Sequence, residues 1–260
     1  MKHFSTFYAD ERNNSQMINK EEFYSCYKNI FEENGISDFC TEEITSKMLA
    51  MSEYMLEINA HMNLTAITET ADLVAKHLAD SVIASKYIPQ GAKLCDVGCG
   101  GGFPSLPLAI VRPDVTILGI DSTEKRINYV NESANRLGLR NLTAMAGRAE
   151  DLARLPELRE SFDVCIARAV ANLPVLSELC VPFVKKGGLF IAMKGRLSDE
   201  EITAAPQKLG AEAISETNIN RYFLKTAAGS EERCIVSLRK PNSTESKYPR
   251  NYSQIKKKPL

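Results

Sequence analysis

Four of the five positions from Gly98 to Gly102 are glycine, in the stretch LCDVGCGGGFP that runs from Leu94 to Pro104. Glycine removes the side chain where a backbone must turn tightly and let a ligand come close. Asp96 leads this turn, and Asp121 closes the next apolar run, 23 residues after Gly98. An acid at about that distance from a glycine turn accepts hydrogen bonds from ribose hydroxyls. Together the two features point to an adenosine-containing cofactor.

The glycine spacing then separates the candidates. A dinucleotide fingerprint places its third glycine three residues beyond the second, so that a helix packs over a pyrophosphate. Here that position is Phe103. The spacing G-x-G-x-G, led by Asp96, suits a ligand without a pyrophosphate, and S-adenosylmethionine is one. Gly98 and Gly100 would let its methionine part approach the backbone, Asp96 would meet its cationic groups, and Asp121 would hold the ribose. An NAD(P)-dependent oxidoreductase fits less well, because no Tyr-x-x-x-Lys catalytic pair accompanies the turn. A non-enzymatic RNA- or partner-binding module that keeps the cofactor site stays open.

The turn needs a scaffold, and the hydrophobic pattern supplies one. From residue 92 onward short apolar runs (KLCDVG, VTILGID, NLTAMAG, FDVCIAR, GLFIAMKG) alternate with amphipathic stretches. Such alternation predicts an α/β fold, a Rossmann-like and mostly parallel doubly wound sheet. SLPLAIV reads as a short helix, with Pro104 and Pro107 in its first turn. Residues 124–137 read as a helix with Ile127, Val130, Ala134 and Leu137 on one face and Gly138 as its stop. RYFLKTA and RCIVSLRK flank AGSEE and predict an antiparallel hairpin at one sheet edge. Upstream, Ile44, Met48, Met51, Met55, Ile58 and Met62 recur at steps of four and three, a helical stripe that reads as core. A second helix around 71–86 carries Leu73, Val74, His77, Leu78 and Val82 on one face. The resulting division is a flexible N-terminus (1–20), a helical cap (21–86), a cofactor domain (87–240) and a basic C-terminal tail (241–260).

Composition narrows the setting. The 260 residues carry a formal net charge of −1, so bulk charge gives no reason to expect a polyanionic partner. Seven cysteines at spacings that suggest neither disulfides nor zinc read as apolar thiols in a reducing cytosol, with no metal. No apolar run approaches the roughly 18 residues of a membrane span, and no signal-peptide core is expected at the N-terminus. The last 22 residues hold seven Lys/Arg against one Glu. They read either as a solvated tail or as an electrostatic arm for phosphate, with Tyr248 and Tyr252 available to stack.

Several segments go beyond a generic cofactor turn: MNLTAIT, KHLADS, CDVGCGGGFPSLPLAIVRP, IDSTEKR, GRAED, ARAVANL, LCVPFVKKGG, AMKG and KYPR. In these the chain resembles the glucose-inhibited division protein B family, bacterial 16S rRNA guanine-N7 methyltransferases, over about residues 40–258. The resemblance implies a cytoplasmic enzyme, acting as a monomer on 16S rRNA or the 30S subunit. It also implies S-adenosylmethionine as methyl donor and a guanine N7 in the decoding-region loop as acceptor. By motif position, Gly98, Phe103, Ala149, Glu150 and Arg168 would contact the cofactor, with Arg168 also facing the methyl-transfer site. Guanine N7 carries a lone pair and no proton, so no general base is required. In keeping with that, the chain has no Asp/Asn-Pro-Pro-aromatic motif after the fourth strand and no Pro-Cys or Thr-Cys nucleophile. Cys180 reads as structural.

The strand ends carry cations instead. Arg148, Arg168 and Lys194, with Lys125 and Arg126 at the start of the second helix and Lys256, Lys257 and Lys258 in the tail, are candidates to bind RNA phosphate or orient the base. Arg148 has Glu150 and Asp151 as competing partners, and Lys194 also reads as an exposed strand end. His77 sits on an apolar helix face, where a histidine is ordinarily core, within one turn of Asp80. The motif KHLADS makes it a candidate for the active site, though not as a base that titrates in the rate.

Overall fold

The computed structural model describes residues 18–260. Seven strands form one sheet: β1 (Lys93–Val97), β2 (Thr116–Asp121), β3 (Leu142–Ala146), β4 (Phe162–Arg168), β5 (Val184–Lys194), β6 (Ile219–Thr226) and β7 (Gly229–Arg239). Their order is β3-β2-β1-β4-β5-β7-β6. The first five run parallel, and β7 and β6 add antiparallel strands at one edge. The order reverses between β1 and β4, the place where an open α/β sheet leaves a crevice at its strand ends.

Alternation along the strands assigns the two faces. Leu94, Val164 and Ile166 point into one core, and Cys95, Val97, Cys165 and Ala167 into the other. Burial on both sides explains why these strands read as nearly continuous apolar runs. The first face is covered by α5 (Ser105–Val111) and α6 (Glu124–Arg136) and by the N-terminal helices α1 (Lys20–Glu33) and α2 (Glu42–Met62). Met48, Met51 and Met55 of the predicted stripe are buried there, with Ile44, Ile58 and Met62 packed against them. Next comes a continuous helical run of α3 (Thr70–Leu73), a π-helical stretch Val74–Ala79, α4 (Asp80–Ile83) and a 3₁₀ turn Ala84–Tyr87. The cap thus shares one core with the sheet. On the opposite face lie α8 (Leu173–Cys180) and several short helices: α7 (Ala149–Leu152), α9 (Asp199–Ile202) and α10 (Tyr252–Lys257).

Three expectations change. Residues 1–17 of the expected flexible N-terminus lie outside the described residues, and its last three, 18–20, are ordered. Ile18 is buried, and Asn19 caps α1 by accepting from the Glu22 amide at 3.1 Å. The hairpin turns at Ala227-Ala228, so GSEE belongs to β7 rather than to a loop. The basic C-terminal segment does not stand free. The Arg159 guanidinium donates to the Tyr248 and Thr244 carbonyls at 2.8 and 2.9 Å. The fully buried Glu178 carboxylate accepts from the Arg250 amide at 2.8 Å and from its guanidinium, and Ile255 is buried in the second core. Tyr248 is buried too and so is not available to stack on RNA. The lysine-rich composition concealed these anchors because they are few and widely spaced.

Candidate functional site

The glycine turn is fixed by its own backbone. The Gly98 and Cys99 amides both donate to the Ile120 carbonyl, at 2.7 and 3.0 Å. That lashes the end of β1 to the end of β2. Gly98 has φ +76°, and a Cβ built on it would stand 2.5 Å from a Val170 methyl. Asp121 draws the turn in further, accepting from the Gly100 amide at 3.1 Å and from the Thr123 amide at 2.8 Å. Asp96 lies beneath, fully buried, its Oδ2 accepting from the Ser105 hydroxyl. Its Oδ1 is buried with no partner among the described residues. Burial pushes the Asp96 carboxyl up to about 6, against the Ser105 hydrogen bond and the Arg168 charge, which pull it down.

Two clefts open side by side above these strand ends. The first is an open cleft of about 170 Å³, bounded by Gly98, Asp121, Gly147, Ala149, Glu150 and Tyr252 among others. Glu150 is buried and accepts from Arg148 Nε at 3.0 Å. This is the cleft the glycine turn and strand-end acid predict. Arg126 and Arg148, expected at an RNA surface, line it instead. Arg126 approaches Asp121 to 3.8 Å, and the Arg148 guanidinium lies over the Tyr252 ring, 4.5 Å from its centroid. Lys125, Lys256, Lys257 and Lys258 are exposed.

The second cleft has a volume of about 410 Å³ and is lined by Lys76, His77, Asp80, Arg168, Lys194 and Arg233, with Ile67 and Met193 as apolar wall. Its centre is Arg168, at the end of β4. Arg168 Nη1 donates to the Lys76 carbonyl at 2.7 Å and to Asp80 Oδ2 at 3.1 Å, and Nη2 meets His77 Nδ1 at 3.2 Å. An arginine can only donate, so His77 Nδ1 is the acceptor. The proton, by this assignment, sits on Nε2, which donates to Thr65 Oγ1 at 2.7 Å. The imidazole stacks on Phe103, centroids 4.3 Å apart and planes 14° apart. The expected pairing of His77 with Asp80 is not formed, because Asp80 is taken by Arg168 and by the Tyr222 hydroxyl at 3.1 Å. Lys194 is not an exposed strand end. It pairs with Glu201 at 2.7 Å and donates to the Ala171 carbonyl at 2.9 Å, closing the loop after β4. Phe103 and Gly100 line neither cleft directly. Phe103 supports His77, and Gly100 supports Asp121.

Between the clefts stand Ala169 and Val170. Ala169 is in the left-handed region at φ +54°, a conformation that costs a non-glycine residue roughly 1–2 kcal/mol. Such strain persists where surrounding structure fixes it, and it gathers at functional sites. The residues that sequence reading missed are Thr65, Asp80 as a partner of Arg168, Tyr222, Arg233 and Val170. Thr65, Asp80 and Val170 lie within the family segments MNLTAIT, KHLADS and ARAVANL, whereas Tyr222 and Arg233 lie in none of them.

His77 yields a prediction for stability. Burial first, and the Arg168 charge second, push it down from 6.5 to about 3. The folded chain therefore refuses a proton that the unfolded chain accepts, so this stability is present above pH 6.5 and is lost as pH falls toward 3. Asp96 works in the opposite sense: its contribution is present below 3.8 and lost as pH rises through about 6. The two overlap, so the difference between variants isolates each. Between pH 7.5 and 5, His77→Gln is expected to lose about 2 kcal/mol less unfolding free energy than the parent chain, measured by urea titration. An equal loss in both would mean that His77 titrates normally.

Comparisons with known proteins identify the family. A family model described as GidB, rRNA small subunit methyltransferase G, matches residues 44–228. A protein of Clostridium novyi named ribosomal RNA small subunit methyltransferase G is 36% identical over 250 residues, covering 94% of this chain and 100% of that one. Its namesake in Lactobacillus delbrueckii subsp. bulgaricus is 42% identical over 214 residues, covering 79% and 87%. Among solved structures, one titled "Conversion of a Disulfide Bond into a Thioacetal Group during Echinomycin Biosynthesis" superposes with a TM-score of 0.50. At 17% identity over 63% of this chain and 82% of that one, it shows the shared fold alone. With a family match over residues 44–228 and relatives of 36% and 42% identity along most of its length, this chain belongs to the rRNA small subunit methyltransferase G family.

Proposed function

We propose that this protein transfers a methyl group from S-adenosylmethionine to N7 of a guanine in the decoding-region loop of 16S rRNA, without a general base. The observation that carries this reading is the pairing of two clefts at one strand edge. One carries the glycine turn and strand-end acid that suit a nucleoside, and the other is lined by cations that are held in place.

The first cleft fits the cofactor. Gly98 cannot carry a side chain, Asp121 presents its carboxylate at the end of β2, and Asp96 Oδ1 is a buried acceptor still lacking a donor. Asp121 would hold the ribose, Ala149 and Glu150 the adenine side, and Gly98 with Asp96 the amino-acid part. When bound, the cofactor supplies an electrophilic methyl on a sulfonium. The chain's remaining task is to orient the acceptor and exclude other nucleophiles.

Arg168 suits that task. Of its five N–H donors, three are spent on Lys76, Asp80 and His77. The two that remain can meet the O6 of a guanine while its N7 stays free to attack. Nothing here calls for a base. Both nitrogens of His77 are engaged, and the ring is neutral at physiological pH. His77 and Lys194 therefore act as positioning residues, one behind Arg168 and the other behind the loop at Ala171.

The test is turnover. The protein would be incubated with labelled cofactor and 30S subunits from a strain lacking this modification, followed by nucleoside mass spectrometry. Appearance of 7-methylguanosine supports the reading; methyl transfer to another position, or none, refutes it. The exposed Lys256, Lys257 and Lys258 would contact phosphate. Changing all three to Gln should lower the slope of log affinity for 30S subunits against log salt by up to about three. An unchanged slope would remove them from the RNA surface. Substitution is preferable to deleting residues 241–260, which would strip Ile255 from the core and leave Glu178 buried without Arg250.

A further inference from the structure

The nucleoside cleft has a wall that no strand–helix turn supplies. Tyr252, the first residue of α10, lines it together with Asp121 and Glu150. Its ring faces the Arg148 guanidinium at 4.5 Å, and Arg148 in turn donates to Glu150 at 3.0 Å. Ring, guanidinium and buried carboxylate thus form one chain of contacts at the edge of the cleft. Tyr252 lies beyond the span that the family model matches, which ends at residue 228.

Nothing within α10 would hold Tyr252 there, because a helix of six residues has little stability of its own. The body of the domain holds it. Ile255 is buried in the second core. The Glu178 carboxylate, fully buried on α8, grips the Arg250 guanidinium, and Arg250 Nη2 reaches on to the Lys258 carbonyl at 3.0 Å. A carboxylate buried this completely is costly without its partner, so the segment is bound to one position. Asn251 caps the helix by accepting from the Gln254 amide at 3.0 Å.

We infer that Tyr252 is a cofactor-binding residue whose ring stacks on the adenine, with Arg148 backing the stack. The inference rests on the cofactor reading above. The geometry behind it is simple: a ribose held by Asp121, with its base toward Ala149 and Glu150, brings the purine to the wall that Tyr252 forms. A flat aromatic ring is suited to a purine face, and the cation behind it strengthens the pairing.

The experiment is calorimetric titration of the full chain with S-adenosylhomocysteine, using wild type, Tyr252→Phe and Tyr252→Leu, alongside melting temperatures with and without ligand. Tyr252→Phe keeps the ring and should bind within about two-fold of wild type. Tyr252→Leu keeps an apolar side chain but not the ring. Its affinity should fall roughly ten-fold, the scale of one base–aromatic stack. Its melting temperature without ligand should match wild type, and the ligand-induced rise should shrink. Leu binding within two-fold of wild type would overturn the role of Tyr252 alone. Wild type that fails to bind at all would overturn the cofactor reading, and this inference with it.

Discussion

Arg168→Ala is expected to lower methyl transfer by roughly 10²–10³-fold, the usual cost of removing one preorganised donor from a reacting centre, while the chain stays folded. The fold survives because the partners of Arg168 keep others. Asp80 retains the Tyr222 hydroxyl at 3.1 Å and Arg233 at 3.7 Å, and His77 retains Thr65 and its stack on Phe103. Arg168→Lys should fare little better, since one ammonium cannot reach Lys76, Asp80 and His77 from a single planar fork. Affinity for S-adenosylhomocysteine should change far less than turnover, which separates loss of acceptor orientation from loss of the cofactor. Asp80→Asn offers an internal control: it removes the charge that fixes the guanidinium but leaves Arg168 in place. Its defect should be smaller and should share the same sign. Measured by initial rates on 30S subunits, near-normal turnover in Arg168→Ala would remove this residue from the acceptor site.

Why Arg168 was legible in the sequence and its supports were not is a matter of chain distance. Arg168 ends an apolar run, and strand ends in a doubly wound sheet meet in the crevice, so its place follows from local pattern and topology alone. Asp80 and Tyr222 meet across 142 residues, and Arg168 and Asp80 across 88. Their adjacency depends on the helical run Thr70–Tyr87 packing against β6 of the edge hairpin, which brings Lys76, His77 and Asp80 to the end of β4, and no spacing in the sequence encodes that. The same limit explains Arg148. Its partner Glu150 could be read two residues away, whereas the Tyr252 ring comes from the C-terminal segment. Composition misled most where anchors were sparse: Thr244, Tyr248, Arg250 and Ile255, with a buried Lys240 just before them, order a stretch that its lysines make look solvated. The glycine turn was the most legible element because its chemistry is local, although the side chain nearest to Gly98, Val170, comes from a distant loop.

That neighbour decides the second large effect. Gly98→Ala should abolish measurable binding of S-adenosylhomocysteine, and turnover with it. Two costs combine. A Cβ at φ +76° is strained by roughly 1–2 kcal/mol, and it would stand 2.5 Å from Val170 Cγ2 and 3.4 Å from Cγ1. Both methyls vanish in Val170→Ala, leaving only the Val170 Cβ at 3.6 Å, an ordinary contact. The double variant therefore separates two meanings of the glycine. If Gly98 matters only because Val170 packs on it, Gly98→Ala with Val170→Ala should regain most of the lost melting temperature and also the binding. If the bare backbone is needed for the ligand itself, the melting temperature should recover and the binding should not. The second outcome is expected, because Gly98 lines the first cleft, where the cofactor is proposed to bind, and its amide is already committed to the Ile120 carbonyl. The turn cannot swing aside to make room without releasing β2. Full recovery of affinity in the double variant would reduce Gly98 to a packing residue and transfer its assigned role to the loop at Ala169 and Val170.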